Sequence, residues 1–155
     1  MKFVVDSMLG RLATWLRILG YDTYYQSRYP KGELADLMRQ DRRLVTRDRK
    51  RRRLSPEVIF LHSDQVGEQL KELFEQLDLD PDQSKWFARC LRCNTVLEAA
   101  DSEEAMERVP EYVFYESRGK IRVCRGCGRY FWPGSHRERM LKQLNAWSLG
   151  DEDEL

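Results

Sequence analysis

Four cysteines are the feature of this sequence that most constrains its fold. They form two pairs with the same spacing, Cys90-x-x-Cys93 and Cys124-x-x-Cys127. Such a pair places two sulfur atoms on one side of a tight turn, and two pairs supply the four thiolates of a closed tetrahedral zinc site. Because a full sulfur shell leaves no position for water or substrate, we expect this zinc to be structural. Two disulfides are the alternative, which the lack of an export signal disfavours.

The length of the chain, 155 residues, suits one ordinary domain or two small ones. The predicted zinc site favours two domains, because a metal can stabilise a module that has a small apolar core. The apolar run before Asp6 is too short for the core of a signal peptide, and no run approaches the length of a membrane span. We therefore expect a cytoplasmic protein with no membrane partner.

The first half of the chain alternates strand and helix patterns. Four short strands are predicted at Phe3–Val5, Thr23–Tyr25, Arg43–Thr46 and Val58–Leu61. Amphipathic helices separate the first three strands, and another follows the fourth as far as Leu77, with Ser7 and Asp64 as candidate helix caps. This alternation is typical of βαβ units, so we predict an α/β fold with a small, mostly parallel sheet and flanking helices.

The segment from Asp78 to Asp82 breaks this pattern and marks a predicted domain boundary. We predict a first domain over residues 1–80, a zinc-binding domain over 86–147 that ends in a basic helix, and an acidic tail over 148–155. Within the second domain the elements expected are a helix at Ser102–Arg108, strands at Tyr112–Tyr115 and Ile121–Val123, and the basic helix at Ser135–Trp147.

Aspartates follow the predicted strands of the first domain. Asp6 follows the first strand and Asp48 the third, and Glu33 and Asp36 lie in the first turns of the second helix. Carboxyl ends of parallel strands share one edge, where open α/β sheets place their sites. Two carboxylates about 4 Å apart repel by about 4 kcal/mol at an effective dielectric near 20, so a cation is needed. Oxygen ligands favour Mg²⁺ or Mn²⁺. Helix capping and salt bridges are the plainer interpretation.

A net charge of +1 conceals two basic stretches. From Arg42 to Arg53 there are eight basic residues and one acid, and from Arg118 to Lys142 there are again eight and one. The first stretch would suit a polyanion that lies across the acidic edge, since such stretches bind nucleic acid with little sequence preference. A solvated surface is the alternative interpretation.

Two long motifs carry a resemblance to a known family. The first is the run from Phe3 to Asp22 together with Leu44–Asp48; the second comprises Arg89–Asn94, Cys124–Cys127 and Tyr130–His136. These motifs resemble the mut-7 C-terminal RNase domain family, and the resemblance extends to about Met140. It implies a PIN-like nuclease fold joined to a C-terminal zinc ribbon.

The resemblance implies a metal-dependent ribonuclease that hydrolyses phosphodiester bonds of RNA, with single-stranded RNA as the expected partner. Asp6 and Asp48 match the family acids that would bind Mg²⁺ or Mn²⁺, and the helix acid is Glu33 or Asp36, of which we prefer Glu33. The zinc ribbon would aid RNA binding. The residues expected to contact RNA are Arg11, Arg47, Arg49, Arg51, Arg52 and His136. The alternative is an RNA- or ribosome-binding zinc protein without catalytic activity.

Overall fold

The computed structural model describes residues 1–149 and divides into two compact units, the first ending at Phe87 and the second beginning at Ala88. Most of the predicted acidic tail therefore lies outside the described residues. The segment after Asp78 belongs to the first unit, where the Phe87 N–H donates to the Ile18 carbonyl at 2.8 Å. Within residues 1–149, no helix is long and apolar enough to span a membrane.

The first unit is an α/β fold with a four-stranded sheet. Its elements are β1 (Lys2–Val5), α1 (Gly10–Ile18), β2 (Asp22–Tyr25), α2 (Glu33–Arg39), β3 (Arg43–Thr46), β4 (Ile59–Phe60) and α3 (Val66–Leu77). The strand order is β2-β1-β3-β4 and every pairing is parallel, which confirms the predicted parallel sheet. The two central strands are apolar and buried, as expected where helices cover both faces of a sheet.

Helices pack on both faces of this sheet. On one face Val4 and Leu44 contact Leu34 and Leu37 of α2. On the other, the ring of Phe3 meets Tyr21 edge to face, and α1 and α3 contact each other. Alternate side chains of a strand point to opposite faces, so the short apolar runs of β1 and β3 serve both layers at once.

Gly20 ends α1 and cannot be replaced by a larger residue. Its φ is +92°, and an added Cβ atom would lie 2.4 Å from the carbonyl oxygen of Lys85. The positive φ and the close approach of the 83–87 segment both require a residue without a side chain.

The second unit is built from short elements. They are β5 (Glu98–Ala99), α4 (Ser102–Arg108), α5 (Glu111–Glu116), β6 (Arg122–Val123), β7 (Tyr130–Phe131) and α6 (Ser135–Ala146). The three strands form an antiparallel sheet in the order β5-β6-β7. Its apolar core is small and joins α4 and α5 through Ala105, Val109, Val113 and Phe114, with Ile121 beside β6.

The strand predicted at Tyr112–Tyr115 is wrong, because these residues form the helix α5. Aromatic and β-branched residues favoured a strand on propensity. Packing outweighs that preference: Val113 and Phe114 are adjacent and both are buried in the same cluster, while Tyr112 and Tyr115 on either side are exposed. The burial follows the helical period rather than the period of two that a strand requires.

Candidate active site and metal centre

Asp6 lies at the carboxyl end of β1 and is completely buried. One of its oxygens accepts a hydrogen bond from the Ser7 N–H at 2.7 Å, and the other accepts one from the Thr46 hydroxyl at 2.7 Å. The guanidinium of Arg51 forms an ion pair with the same carboxylate. Asp6, and not Ser7 as predicted, caps the short helical turn over Ser7–Leu9. The buried charge of Asp6 is thus fully hydrogen-bonded and compensated.

Thr46 connects Asp6 to Asp48. The Thr46 hydroxyl donates to Asp6 and accepts the Asp48 N–H at 2.9 Å, so one buried side chain orients both acidic segments. The Asp48 carboxylate accepts the Lys50 N–H at 2.8 Å. Sequence reasoning missed Thr46. Its signal was a polar residue at the end of a buried strand, paired with the strand that precedes Asp6.

The two candidate acids of α2 have different surroundings. Glu33 accepts hydrogen bonds from the Tyr24 hydroxyl and the Gln26 amide, each at 3.1 Å, at the end of β2. Asp36 is exposed and forms a 2.5 Å ion pair with Arg39 on its own helix. Glu33 therefore faces the end of the neighbouring strand, whereas Asp36 is engaged along the helix surface.

Tyrosines from β2 and the following loop line the same edge of the sheet. The Tyr29 hydroxyl donates to the Val5 carbonyl at 2.7 Å, and the Tyr25 hydroxyl donates to the Ser7 carbonyl at 2.8 Å. Burial raises the pKa of Tyr29 to about 12, with a smaller contribution from the nearby carboxylate of Asp6. The two hydroxyls thus hold the backbone on either side of Asp6.

No group of three carboxylates with ligand atoms within 4.8 Å of one another occurs in residues 1–149; the group found there consists of the four cysteines. At Asp6 the positive charge is supplied by Arg51. This edge of the sheet thus brings together Asp6, Thr46 and the backbone of Asp48. Glu33 lies at the end of the neighbouring strand β2.

Arginines of the first basic stretch point in different directions. Arg47 donates to the His62 carbonyl at 3.2 Å, Arg51 contacts Asp6, and the guanidinium of Arg52 lies 4.8 Å from the centre of the Phe60 ring. Arg49 is exposed, and so is Arg11 in the first turn of α1. The stretch therefore offers cations both at the acidic edge and beside it.

Glu72 of α3 holds the loop after β4. Its carboxylate accepts the N–H groups of His62 and Ser63 at 2.9 to 3.1 Å and contacts the His62 ring at 3.1 Å. Burial opposes ionisation, but these hydrogen bonds outweigh it and lower the pKa of Glu72. Asp64 was predicted to cap α3, which is wrong: the cap residue is Gln65, which makes no side-chain cap bond, and Asp64 is exposed.

The four cysteine sulfurs form one compact group. All lie within 4.8 Å of one another, and the Cys90 and Cys127 sulfurs are 3.8 Å apart. A disulfide requires about 2.05 Å. Zinc–sulfur bonds of about 2.3 Å in a tetrahedron place sulfurs roughly 3.8 Å apart, so this donor set can hold a metal such as zinc.

The two cysteine turns have the same backbone geometry. The residue after each pair, Asn94 or Gly128, has a positive φ (68° and 77°) and donates its N–H to the carbonyl of the first cysteine of that pair at 2.8 Å. Asn and Gly are the residues that adopt this conformation most readily. The repeated turn directs each pair of sulfurs to the same point.

The thiols of Cys90, Cys93 and Cys127 differ in pKa. Burial raises the pKa of Cys90, and hydrogen bonding to Cys127 raises the pKa of Cys93 to about 12. Burial also acts on Cys127, but hydrogen bonds from Arg129 outweigh it and lower the pKa of that thiol to about 6. Because a metal needs thiolates, its binding must release protons from the group.

His136 occupies the second position of α6 and is exposed. It is not part of the cysteine group. Nearby in sequence, Arg137 is partly buried, and burial together with the charge of Arg122 lowers its pKa. This helix start therefore combines an exposed imidazole with a partly buried guanidinium, which is a surface that suits anions.

No curated protein and no solved structure shows a significant match to the chain. The family model described as the Mut7-C RNAse domain does match, over residues 1–144. That range includes the acidic edge, the basic stretch, both cysteine pairs and most of α6, so the resemblance inferred from the two motifs is confirmed. The chain belongs to the Mut7-C RNAse domain family.

Proposed function

We propose that this protein is a ribonuclease that hydrolyses RNA phosphodiester bonds with Mg²⁺ or Mn²⁺ held by Asp6 and Asp48. Membership of an RNase domain family indicates a nuclease-like function with RNA as substrate. The observation that carries the proposal is a completely buried Asp6 joined through Thr46 to the Asp48 segment, at the strand edge where α/β sheets place their sites. We further propose that this unit is PIN-like.

The oxygen donors at this edge suit a small divalent ion. Mg²⁺ commonly binds through one or two carboxylates and completes its shell with water and substrate phosphates. When bound, such an ion would stabilise the charge that develops on the phosphate and favour a water nucleophile. The ion and Arg51 would compete for Asp6, since the guanidinium occupies that carboxylate. Once released, Arg51 would be able to hold a phosphate of the substrate.

Other residues of the chain would position the substrate. Thr46 fixes the orientation of Asp6, and Glu33 is the α2 acid that we place nearest the edge, held by Tyr24 and Gln26. We assign Arg47, Arg49 and Arg52 to backbone phosphates of single-stranded RNA, together with Arg11. The second unit, with zinc on its four cysteines, would extend the contact through His136 and the basic start of α6.

The test is cleavage of a fluorescein-labelled single-stranded RNA with Mn²⁺. We expect Asp6→Asn and Asp48→Asn each to lower the rate by about 100-fold or more, since metal stabilisation amounts to several kcal/mol. Asp41→Asn is the matched control, because Asp41 is an exposed acid before β3, at the opposite end of that strand. Full activity in both site variants would exclude the assignment. Calorimetric Mn²⁺ titration adds a readout independent of turnover: Arg51→Gln should tighten Mn²⁺ binding and Asp6→Asn should abolish it.

A second candidate function is RNA or ribosome binding without cleavage. Its specific support is that Arg51 already compensates Asp6 and that residues 1–149 contain no cluster of three carboxylates. This hypothesis predicts RNA affinity that falls steeply with salt and does not need divalent ions. It also predicts that Arg51→Gln destabilises the fold without creating Mn²⁺ affinity, because a buried carboxylate is left unpaired.

A further inference from the structure

A pocket beside the acidic edge is lined by Arg49, Arg52, Arg53, Phe60 and His62. Its volume is about 540 Å³, within the range of ligand sites in proteins. Among residues 1–149, no acidic side chain lines it. A smaller pocket of about 330 Å³ shares Arg52, Phe60 and His62, so the depression continues past the Phe60 ring.

The arginines reach this pocket because of the local helix geometry. Arg51–Leu54 forms a 3₁₀ turn, in which successive side chains point about 120° apart. Arg51 therefore points to Asp6, while its neighbour Arg52 lies over the Phe60 ring. In residues 1–149 the side chains of Arg49 and Arg53 have no ion-pair or hydrogen-bond partner. Two free guanidiniums and one stacked guanidinium thus converge on one depression.

The two aromatic side chains of the pocket contact each other, and Glu72 holds one of them. The rings of Phe60 and His62 are nearly perpendicular, with centres 5.1 Å apart. Glu72 fixes His62 through both its backbone N–H and its ring. Together with the Arg52 guanidinium that covers the Phe60 ring, these aromatic side chains give the pocket planar groups beside two further arginines, which suits a ligand that carries both a π system and a phosphate.

We propose that this pocket binds one nucleotide of the RNA substrate, with its phosphate on Arg49 and Arg53 and its base against Phe60 and His62. The identification of the ligand as RNA rests on the proposed function. The site would anchor the strand next to the acidic edge, because the same short segment delivers Arg51 to Asp6 and Arg52 to the pocket. Phe60, His62 and Arg53 are thereby assigned a role that the motif residues do not include.

The test measures binding without cleavage. Fluorescence anisotropy of a fluorescein-labelled eight-nucleotide RNA is recorded with the zinc-loaded full chain in buffer without added divalent ions. We expect Phe60→Leu to weaken binding about fivefold or more, since stacking on an aromatic ring stabilises a bound base by about 1–3 kcal/mol. Arg53→Gln should weaken binding and reduce the slope of log K against log salt by about 0.7, as expected for one lost phosphate contact. Phe60→Leu should leave that slope unchanged.

Lys71→Gln is the matched control, because it removes one exposed positive charge from α3 outside the pocket. Affinities of Phe60→Leu and Arg53→Gln equal to that of Lys71→Gln would overturn the proposal. Competition by polyglutamate as strong as that by unlabelled RNA would also overturn it, since the pocket would then be a general anion surface.

Two further arms separate the possible outcomes. Comparing RNA with and without a 5′-phosphate shows which nucleotide the pocket binds. If the protein prefers the 5′-phosphate and Arg53→Gln loses that preference, the pocket binds the end of the strand. If there is no such preference, the pocket binds an interior nucleotide. Cleavage is measured separately with Mn²⁺. A protein that binds RNA through the pocket but does not cut refutes only the nuclease proposal, whereas one that cuts with unchanged kinetics in both pocket variants refutes only the pocket.

Discussion

The two units of this protein are stabilised in different ways. In the first, a parallel sheet is buried between helices, and Leu44, Val45 and Leu70 are essentially inaccessible to solvent. In the second, the strands have two residues each, and the buried cysteines Cys90 and Cys124 stand where larger apolar side chains would otherwise be needed. Hydrophobic burial is expected to dominate in the first unit, and metal coordination in the second.

This difference also separates the proposed catalytic site, in the first unit, from the cysteine group, in the second. A four-sulfur group has no position left for a substrate once it binds a metal. The proposed catalytic site is instead the strand edge with Asp6 and Asp48, where the Asp6 carboxylate is paired with the Arg51 side chain. Loss of metal from the cysteines should therefore damage one unit and spare the geometry of the other.

The largest expected effect comes from removing metal from the cysteine group. Structural zinc contributes about 10–16 kcal/mol of apparent binding free energy in small zinc modules, so Cys124→Ser or chelation should unfold the second unit. Hydrogen exchange measured by mass spectrometry should show lost protection in β5, β6 and β7 and unchanged protection in β1 and β3. Equal loss of protection in both units, or no loss in the second, would contradict this difference between the units.

A core substitution in the first unit should have the opposite pattern. Leu44 is fully buried in the central strand β3, so Leu44→Ala should lower the free energy of unfolding of this unit by about 2–5 kcal/mol. Leu54→Ala is the control, because Leu54 is 56% exposed. Hydrogen exchange of β1 and β3 in increasing urea, measured by mass spectrometry, follows the first unit, and release of zinc to a chromogenic chelator follows the second. A shift of zinc release in Leu44→Ala would show that the units unfold together.

Much of this comparison is predictable from sequence, because it depends on local patterns. The apolar runs of β1 and β3 identify the buried strands, and parallel pairing then places Asp6 and the segment of Asp48 at one edge. The two Cys-x-x-Cys pairs identify the metal group by spacing alone. These inferences need no knowledge of which side chains meet across the fold.

The remaining features depend on tertiary contacts that no local pattern specifies. Eight basic residues lie in the stretch from Arg42 to Arg53. The orientation of the 3₁₀ turn Arg51–Leu54 decides that Arg51 is the one that reaches Asp6. The helix α5 forms against a strand-like propensity because Val113 and Phe114 fill a small core. Glu72 reaches back ten residues to hold the loop at His62, which a search for adjacent caps cannot find.

A smaller effect is expected at the link between Asp6 and Asp48. Thr46→Val keeps the shape of the side chain but removes the hydroxyl, so Asp6 loses a donor and the Asp48 N–H loses its acceptor. Unsatisfied buried groups cost about 1–3 kcal/mol, and amide exchange at Asp48 measured by NMR should accelerate. Thr46→Ser retains the hydroxyl and should keep the Asp48 amide protected. Equal exchange rates in the two variants would mean that the hydroxyl does not hold this segment.

The smallest effect concerns Glu72, whose hydrogen bonds to the loop after β4 depend on its charge. Its pKa in the folded protein is lowered from the ordinary value of 4.5, so its stabilising contribution is complete above the unfolded-state pKa and is lost as pH falls through the lower folded-state value. At pH 7, Glu72→Gln should lower the free energy of unfolding of the first unit by about 1 kcal/mol, since the side chain is partly exposed. The difference between wild type and variant should shrink as the pH is lowered below about 4. Urea titrations between pH 3 and 7 measure this difference. Glu68→Gln is the control, because Glu68 is an exposed acid of the same helix and forms its ion pair with Lys71. If the difference in unfolding free energy between wild type and variant stays constant down to pH 3, the shape of Glu72, and not its charge, holds the loop that contains His62.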